Sequence, residues 1–127
     1  MKVTVEKIAV QSDSRGFVLE PLLGESLALQ RNVHMAVTQP GAVRGNHYHR
    51  KGTEVLVLFG PCQVRLREKR AIKDIVVGEG EVSRFTIPAG VSHAFKKIGN
   101  QPAMLIAFNS GAQKELEAET IRDLLIE

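Results

Sequence analysis

Turn-forming residues divide this chain into short segments with the character of β-strands, and this pattern is the strongest constraint on its fold. The turn signals, rich in glycine, proline, asparagine and aspartate, lie at positions 13–16, 40–41, 60–61, 78–80, 88–90 and 99–100. The predicted strands between them are Lys2–Val10, Phe17–Glu20, Val33–Thr38, Glu54–Phe59, Gln63–Arg67, Ala71–Val77, Val82–Ile87 and Ala103–Asn109. Strands that recur about every 8–12 residues with turns between them are typical of a β-sandwich or β-barrel.

The composition is that of one ordinary globular domain, which we predict spans residues 1–127. Hydrophobic residues make up 43% of the chain and charged residues 24%, which is usual for a globular fold. The single cysteine, Cys62, excludes a disulfide framework and is predicted to be a buried or half-buried thiol without a catalytic role. The amino terminus lacks a signal-peptide core, and no apolar stretch reaches transmembrane length. We therefore expect a cytoplasmic protein without a membrane partner.

The charge of the chain argues against a nucleic-acid partner. The net charge is only +3, and the lysines and arginines are spread along the chain. A basic pocket for a phosphorylated ligand fits this charge equally well. Arg65, Arg67, Lys69 and Arg70 are predicted to form a solvated sheet edge that resists aggregation, with a diphosphate contact as the alternative for the first two.

The C-terminal segment Lys114–Ile126 is predicted to be a helix. Leu116, Ile121, Leu124 and Leu125 form an apolar stripe, and charged residues between them can stay in solvent. We expect this helix to pack on a sheet face or on a neighbouring subunit.

Two histidines one residue apart mark the candidate functional site. On a strand, His47 and His49 project from the same face, so both imidazoles can aim at one point. Glu54 follows a short polar segment and opens an apolar run typical of the return strand of a hairpin, so its carboxylate can lie opposite the histidines. Imidazole with carboxylate suits Zn, Fe, Mn, Ni or Co. A third histidine, His93, could complete the ligand set, and a hydrogen-bonded polar cluster is the alternative.

These residues resemble the two motifs of the cupin superfamily, whose members are small β-barrels of jelly-roll type. Residues that match the first motif are Gly41, His47, His49, Glu54 and Gly60. Residues that match the second are Pro88, Gly90 and His93, with Lys97 where asparagine is common. The resemblance implies an all-β, cupin-type double-stranded β-helix (jelly-roll barrel) with a short C-terminal helix. It also implies a divalent transition metal (Zn, Fe, Mn or Ni) bound by His47, His49, Glu54 and His93.

A narrower resemblance points to the sugar-nucleotide branch of the cupins. Asp13–Phe17 is similar to the Asp-x-Arg-Gly-Phe segment of dTDP-4-dehydrorhamnose 3,5-epimerases and dTDP-4-keto-6-deoxyhexose ketoisomerases. Arg44–His49 resembles their Arg-Gly-x-His segment and, more closely, the Arg-Gly-Asn-His-Tyr-His of capsular polysaccharide synthesis cupins. Arg15 and Arg44 are thereby implied as substrate-binding residues that contact a diphosphate, with a structural salt bridge or turn contact as the alternative.

The implied function is an epimerase or isomerase acting beside the ketone of a 4-keto-6-deoxy sugar nucleotide in polysaccharide biosynthesis. The C–H bonds beside that ketone are acidic, and a metal held by the four residues would polarise the carbonyl and stabilise the enolate. Without metal, His47 is the general base, as the matching histidine is in the epimerase family. Tyr48, the only tyrosine, is the candidate acid, although on a regular strand it points away from the histidines.

The sequence leaves two other functional classes open and also predicts an oligomeric state and the role of one further histidine. A metal-dependent cupin dioxygenase and a non-catalytic sugar-binding cupin are the alternatives to the isomerase. Single-barrel cupins usually pair, so a homodimer is expected by resemblance. His34, on an alternating strand, is interpreted as a satisfied or exposed residue without a role in the site.

Overall fold

Two facing antiparallel sheets make up the body of the protein, in a computed structural model that describes residues 2–127. The first six elements are β1 (Thr4–Lys7), β2 (Gln11–Asp13), β3 (Gly16–Val18), α1 (Gly24–Ala28), β4 (Asn32–Thr38) and β5 (Val43–His49). The remainder are β6 (Glu54–Phe59), β7 (Cys62–Glu68), β8 (Ala71–Val77), β9 (Val82–Ile87), β10 (Ser92–Lys97), β11 (Ala103–Asn109), α2 (Gln113–Glu119) and β12 (Thr120–Arg122). No helix within residues 2–127 has the length and apolar character needed to cross a membrane.

The order of strands places sequence-distant segments side by side. One sheet has the order β1-β9-β6-β11-β4, and the other has the order β12-β5-β10-β7-β8. Strands β2 and β3 form a separate hairpin whose residues are exposed. The all-β architecture predicted from the turn spacing is confirmed.

The core lies between the two sheets because alternate residues of each strand face inward. Its fully buried members include Leu58, Leu66 and Phe85, which belong to one apolar cluster contributed by both sheets. A smaller cluster around Val57 and Phe108 lies on the outer face of the first sheet, where the segment around Leu22 covers it. Three members of the inner cluster, Leu56, Phe95 and Leu105, also line the cavity described below.

The turn pattern located eight of the twelve strands within residues 2–127, and the strands that it missed are β2, β5, β10 and β12. Four of the predicted strands, β6, β8, β9 and β11, have the predicted bounds. Two of the missed strands, β5 and β10, carry His47, His49 and His93. Their apolar alternation is weak because these histidines take inward positions that apolar residues hold in the other strands.

The predicted helix Lys114–Ile126 is wrong over its second half. The helix α2 ends at Glu119, and the chain continues as the short strand β12, which pairs with β5. Asn46 binds the tail beyond it, because its Oδ1 accepts hydrogen bonds from the backbone N–H groups of Leu125 (2.8 Å) and Ile126 (3.0 Å). Pairing with a neighbouring strand therefore outweighs the helical spacing of the apolar residues.

Candidate active site

A cavity of about 580 Å³ opens between the two sheets at the end that carries the histidines. Its apolar wall includes Leu56, Phe95 and Leu105. Helix α2 contributes a further wall through Leu116 and Glu117. A mostly apolar pocket with a few convergent polar groups is the usual form of a small-molecule site.

Four residues predicted from the sequence lie together at this cavity. Strands β5 and β10 pair so that His47 lies opposite His93, and β5 also carries His49 on the same face. Glu54 begins β6 in the facing sheet. One potential ligand atom from each of the four residues lies within 4.8 Å of the others.

The carboxylate of Glu54 lies between two of the imidazoles. Its Oε1 is 2.9 Å from Nε2 of His93, and its Oε2 is 3.3 Å from Nε2 of His49. All three side chains are buried, with His93 only 2% exposed. Buried charged groups at this spacing require a proton or a cation between them, since burial makes an unpaired charge costly.

The outer nitrogens of the same two imidazoles are held by other groups. Nδ1 of His93 lies 3.1 Å from the carbonyl oxygen of Val91, and Nδ1 of His49 lies 3.0 Å from Oγ1 of Thr120. A carbonyl can only accept, so Nδ1 of His93 carries a proton and donates it. Its Nε2, although close to Glu54, is a buried nitrogen without an aligned hydrogen-bond partner among the described residues.

The ionisation of Glu54 and His93 is coupled. Burial raises the pKa of Glu54, but its close contacts with the rings of His49 and His93 outweigh that effect and hold the pKa below its ordinary value. Burial likewise lowers the pKa of His93, but the adjacent Glu54 carboxylate outweighs it and leaves the pKa above the usual histidine value. In the metal-free protein the two groups therefore form an imidazolium–carboxylate pair.

The imidazole of His47 has a different environment. Its ring centroid is 4.8 Å from that of His93 and 5.0 Å from that of His49. Burial, followed by repulsion from His93, lowers the pKa of His47 to about 4. The ring is consequently neutral at physiological pH, as either a metal ligand or a general base requires.

The donor set fits a divalent transition-metal ion. Three imidazole nitrogens and a carboxylate converge, and an outer acceptor orients His93 so that Nε2 faces the cluster. Nε2 of His93 lies 2.9 Å from Oε1 of Glu54 without the alignment of a hydrogen bond, so a metal ion could take the place of the proton between these two atoms. Metal binding by these residues remains a prediction.

Three further predicted site residues have separate locations. Arg44 lines the cavity, and its guanidinium donates to Oγ1 of Thr38 (2.9 Å) and to the carbonyl oxygen of Val37 (2.8 Å). Arg15 lies on the exposed β2–β3 hairpin, where it pairs with Asp13 at 2.6 Å, and it is not among the residues that line the cavity.

Tyr48 also lies outside the cavity lining. It occupies β5 between the two inward histidines and pairs with Ile121 of β12. A regular strand sends the intermediate side chain to the opposite face, so the prediction that Tyr48 acts as the catalytic acid has no support from its position.

Sequence reasoning did not place His34 and Thr120 at the cavity. His34 is exposed, as one of its two predicted states, and it also lines the cavity from β4. Its alternation with outward-facing Val33 and Met35 was a usable signal, since it places His34 on the inner face. Thr120 gave no comparable signal because it was assigned to the middle of a helix.

The two arginines of β7 stabilise the fold outside the cavity. Arg65 pairs with Asp74 at 2.8 Å, and Arg67 binds both oxygens of Asp123 at 2.7 Å. Neither arginine lines the cavity. These contacts do not support the alternative that the pair binds a diphosphate.

Residues 11–121 match the protein family described as polysaccharide biosynthesis C-terminal domain. The spore coat polysaccharide biosynthesis protein SpsL of Bacillus subtilis is 30% identical over 118 residues, which cover 85% of this chain and 78% of SpsL. Among solved structures, ChmJ, a 3'-monoepimerase from Streptomyces bikiniensis in complex with dTDP-quinovose, aligns with a TM-score of 0.76. The identity is 21%, and the alignment covers 94% of this chain and 68% of ChmJ.

A second solved structure gives a similar result. A 3,4-ketoisomerase from Helicobacter canadensis aligns with a TM-score of 0.75 and 22% identity, covering 97% of this chain and 92% of the isomerase. Similarity at these identities shows a shared fold. The jelly-roll fold predicted from the sequence is thereby confirmed. The family match and the similarity to SpsL agree with the predicted polysaccharide-biosynthesis branch.

Proposed function

Because the chain belongs to the polysaccharide biosynthesis C-terminal domain family, we propose that it is an epimerase or isomerase for a 4-keto-6-deoxy sugar nucleotide. The single observation that carries the proposal is the convergence of His47, His49, Glu54 and His93 in one cavity. The names of its relatives agree, since SpsL is a polysaccharide biosynthesis protein and the solved neighbours are a sugar epimerase and a ketoisomerase.

The four converging residues would hold a divalent cation. When bound, such an ion would polarise the ketone of the sugar and stabilise the negative charge that develops when a neighbouring proton is removed. Glu54 and His93 would give up the proton that they share in the metal-free protein. Val91 would keep the His93 ring in one orientation through its carbonyl oxygen.

Proton transfer would fall to histidine side chains of the cavity. His47 has the lowered pKa that leaves its ring neutral, and it lies beside the His49–Glu54–His93 cluster. His34 lines the same cavity from the facing sheet, so it is available for transfer on the other side of a bound sugar. A metal-free route in which His47 alone is the base uses the same geometry.

The substrate would be oriented by Arg44 at the cavity wall. Its guanidinium is fixed by Thr38 and Val37, and a fixed guanidinium is suited to a phosphate oxygen. Arg15 is not among the residues that line the cavity of its own chain, and a contact with substrate in the cavity of a second copy belongs to the proposal. The homodimer and the nucleotide part of the substrate belong to the proposal.

Deuterium exchange tests this reaction class. The protein is incubated in heavy water with a dTDP-4-keto-6-deoxy sugar, and NMR follows deuterium entering at C3 or C5. We expect exchange in the wild type, a loss of about 100-fold or more in His47→Asn, and little change in Tyr48→Phe, the adjacent outward residue. Absence of exchange with every such sugar would refute the proposal.

The same preparation separates the alternative functions. Oxygen uptake that depends on Fe(II), without deuterium exchange, would identify the dioxygenase. Retained binding of the sugar nucleotide with neither reaction would identify the non-catalytic binding protein.

A further inference from the structure

We propose that Asn46 is a positioning residue that directs His47 into the cavity and depends on the C-terminal tail to do so. Asn46 immediately precedes His47 in β5 and is not among the residues that line the cavity. It therefore acts on the site through the backbone of its neighbour. The geometric part of this inference stands without a function, and its consequence for catalysis rests on the proposed function.

Asn46 is the extra residue of a β-bulge. His47 lies opposite His93, and the next pair along β10 joins Ala94 to Gly45. Within β10, whose residues are all described, none lies opposite Asn46. Its backbone has a φ of +57°, a left-handed conformation that asparagine adopts more readily than most residues.

The bulge decides which side chains of β5 face the cavity. Arg44 and His47 both line the cavity, although they are three positions apart. On a regular strand, residues an odd number of positions apart project from opposite faces. One extra residue shifts the alternation, and bulges redirect side chains in this way beside functional sites. A regular β5 would therefore present only one of these two residues to the cavity.

The side chain and the backbone of Asn46 both bind the C-terminal tail. Its Oδ1 accepts the N–H groups of Leu125 and Ile126, and its Nδ2 donates to the carbonyl oxygen of Ile126 at 2.9 Å. Its backbone carbonyl oxygen accepts the N–H of Asp123 at 2.8 Å. These hydrogen bonds hold Asn46 in the bulged conformation.

The tail is itself fixed to other strands of the same sheet. Arg67 of β7 donates to both carboxylate oxygens of Asp123, and the hydroxyl of Ser92 in β10 donates to one of them. The side chain of Leu125 is buried. The tail thus gives Asn46 an anchor that does not involve the cavity.

The ring of His47 has greater need of this support than the rings of the other two histidines. His49 and His93 are each held by a hydrogen bond at Nδ1. Among residues 2–127, no hydrogen bond holds the ring of His47. Its orientation consequently depends on the backbone that carries it, and the bulge at Asn46 sets that backbone.

NMR of the full-length, metal-free protein tests this geometry. One observable is the contact between the rings of His47 and His93, whose centroids are 4.8 Å apart. The other is hydrogen exchange at the N–H groups of residues 125 and 126. Asn46→Gly keeps the left-handed backbone accessible but removes the side-chain hydrogen bonds. We expect a weaker ring contact and amide exchange at least about tenfold faster. Lys69→Gly is the control, since Lys69 has the same φ of +57° in the β7–β8 turn.

A second pair of variants tests the dependence on the tail without changing Asn46. Ile126→Pro removes an N–H that Oδ1 of Asn46 accepts, whereas Ile126→Ala keeps it and is the control. We expect Ile126→Pro to weaken the contact between the rings of His47 and His93, and the double variant with Asn46→Gly to add little.

The deuterium-exchange assay supplies a kinetic readout. In Asn46→Gly we expect kcat to fall by about 10–100-fold, because the base is misplaced. KM should change by less than about threefold, since Arg44 keeps its own hydrogen bonds. A residue that only stabilised the fold would leave both constants of the folded protein unchanged.

Two results would overturn the inference. One is a folded Asn46→Gly whose ring contact and amide exchange match those of the wild type. The other is an unchanged ring contact in Ile126→Pro, which decides the question even if Asn46→Gly does not fold. Absence of deuterium exchange in the wild type would count against the proposed function, and the NMR measurements would still decide the role of Asn46.

Discussion

At the scale of single residues, the site depends on a backbone position as well as on its ligands. Gly45 has a φ of +93°, and a Cβ added there would lie 2.6 Å from the carbonyl oxygen of His93. The pairing of β5 with β10 shifts register beside it, between His93 and Ala94. Gly45 therefore allows β10 to come close enough for His93 to face His47.

We predict that Gly45→Ala will lower the free energy of unfolding by about 3 kcal/mol or more, because strain and a backbone clash add together. Gly41→Ala is the matched control, with a φ of +80° but no atom within 4 Å of the added Cβ. Its expected cost is about 1–2 kcal/mol. Urea denaturation measures both, and equal losses would show that the close approach to His93 is unimportant.

The raised pKa of His93 predicts a pH dependence of metal binding. Since Glu54 raises the pKa of His93, the ring holds its proton to a higher pH than an ordinary histidine, and a metal ion has to displace that proton. Apparent affinity should therefore rise with pH through the neutral range and level off above the pKa of His93. His47 contributes no proton there, because its pKa is already lowered to about 4.

Calorimetric titration with Zn²⁺ in two buffers of different ionisation enthalpy measures the protons released. If the heat of Zn²⁺ binding at pH 7 is the same in both buffers, binding releases no proton. That result would contradict a His93 ring that is protonated before the metal binds.

At the scale of elements, the sequence predicts the apolar strands well and the functional strands poorly. β6 and β9 have continuous or alternating apolar residues, so turns and hydrophobicity define their ends. β5 and β10 use their inward positions for histidines, so only the motif spacing reveals them. The end of α2 and the start of β12 could not be predicted from the local sequence. The chain leaves the helix there because it pairs with β5, which is distant in the sequence.

The tail after β12 offers a test at this scale. Asp123 accepts hydrogen bonds from Arg67 and from the Ser92 hydroxyl (2.6 Å), which joins the tail to two strands. We predict that Asp123→Asn lowers the free energy of unfolding by about 1–3 kcal/mol. Asp74→Asn, which breaks the more exposed pair with Arg65, is the control and should cost clearly less, because solvent screens that pair. Thermal unfolding compares them, and equal costs would contradict an anchoring role for Asp123.

The same contact predicts a stability change in acid. The Ser92 hydroxyl and then Arg67 hold the pKa of Asp123 below the ordinary carboxyl value. Its contribution to stability is fully present above that ordinary value and is lost as the pH falls through the lowered pKa. The difference in stability between the wild type and Asp123→Asn should therefore narrow below about pH 4. A constant difference from pH 7 to pH 2 would contradict this origin.

At the scale of the whole molecule, one sheet edge is unusually apolar. β4 is an edge strand, and its outward residues Val33, Met35 and Val37 are 59%, 65% and 52% exposed. Met104 of the adjacent strand lies next to Val37. Exposed apolar side chains along an unpaired edge strand favour association with a second copy of the chain. This agrees with the proposed homodimer.

We predict that Met35→Glu weakens this dimer by at least about tenfold, because it buries a charge in an apolar contact. Val76→Glu is the control, since Val76 is equally exposed on the other sheet's edge but has Asp74 nearby on the same strand. Light scattering over a range of concentrations measures both variants. A wild type that is monomeric at every concentration, or a dimer that Met35→Glu does not affect, would contradict the assignment of this edge.

The central claim is that one buried His and Glu cluster supports proton removal beside a ketone with the help of a divalent cation. The most direct measurement is the rate of deuterium exchange into a dTDP-4-keto-6-deoxy sugar, before and after the protein is stripped with a chelator and reloaded with Zn²⁺, Mn²⁺ or Fe²⁺. We predict that exchange falls on stripping, returns with at least one of these ions, and does not return in Glu54→Gln. Exchange that continues at the full rate in the stripped protein would contradict the metal-assisted account and leave His47 as the sole base.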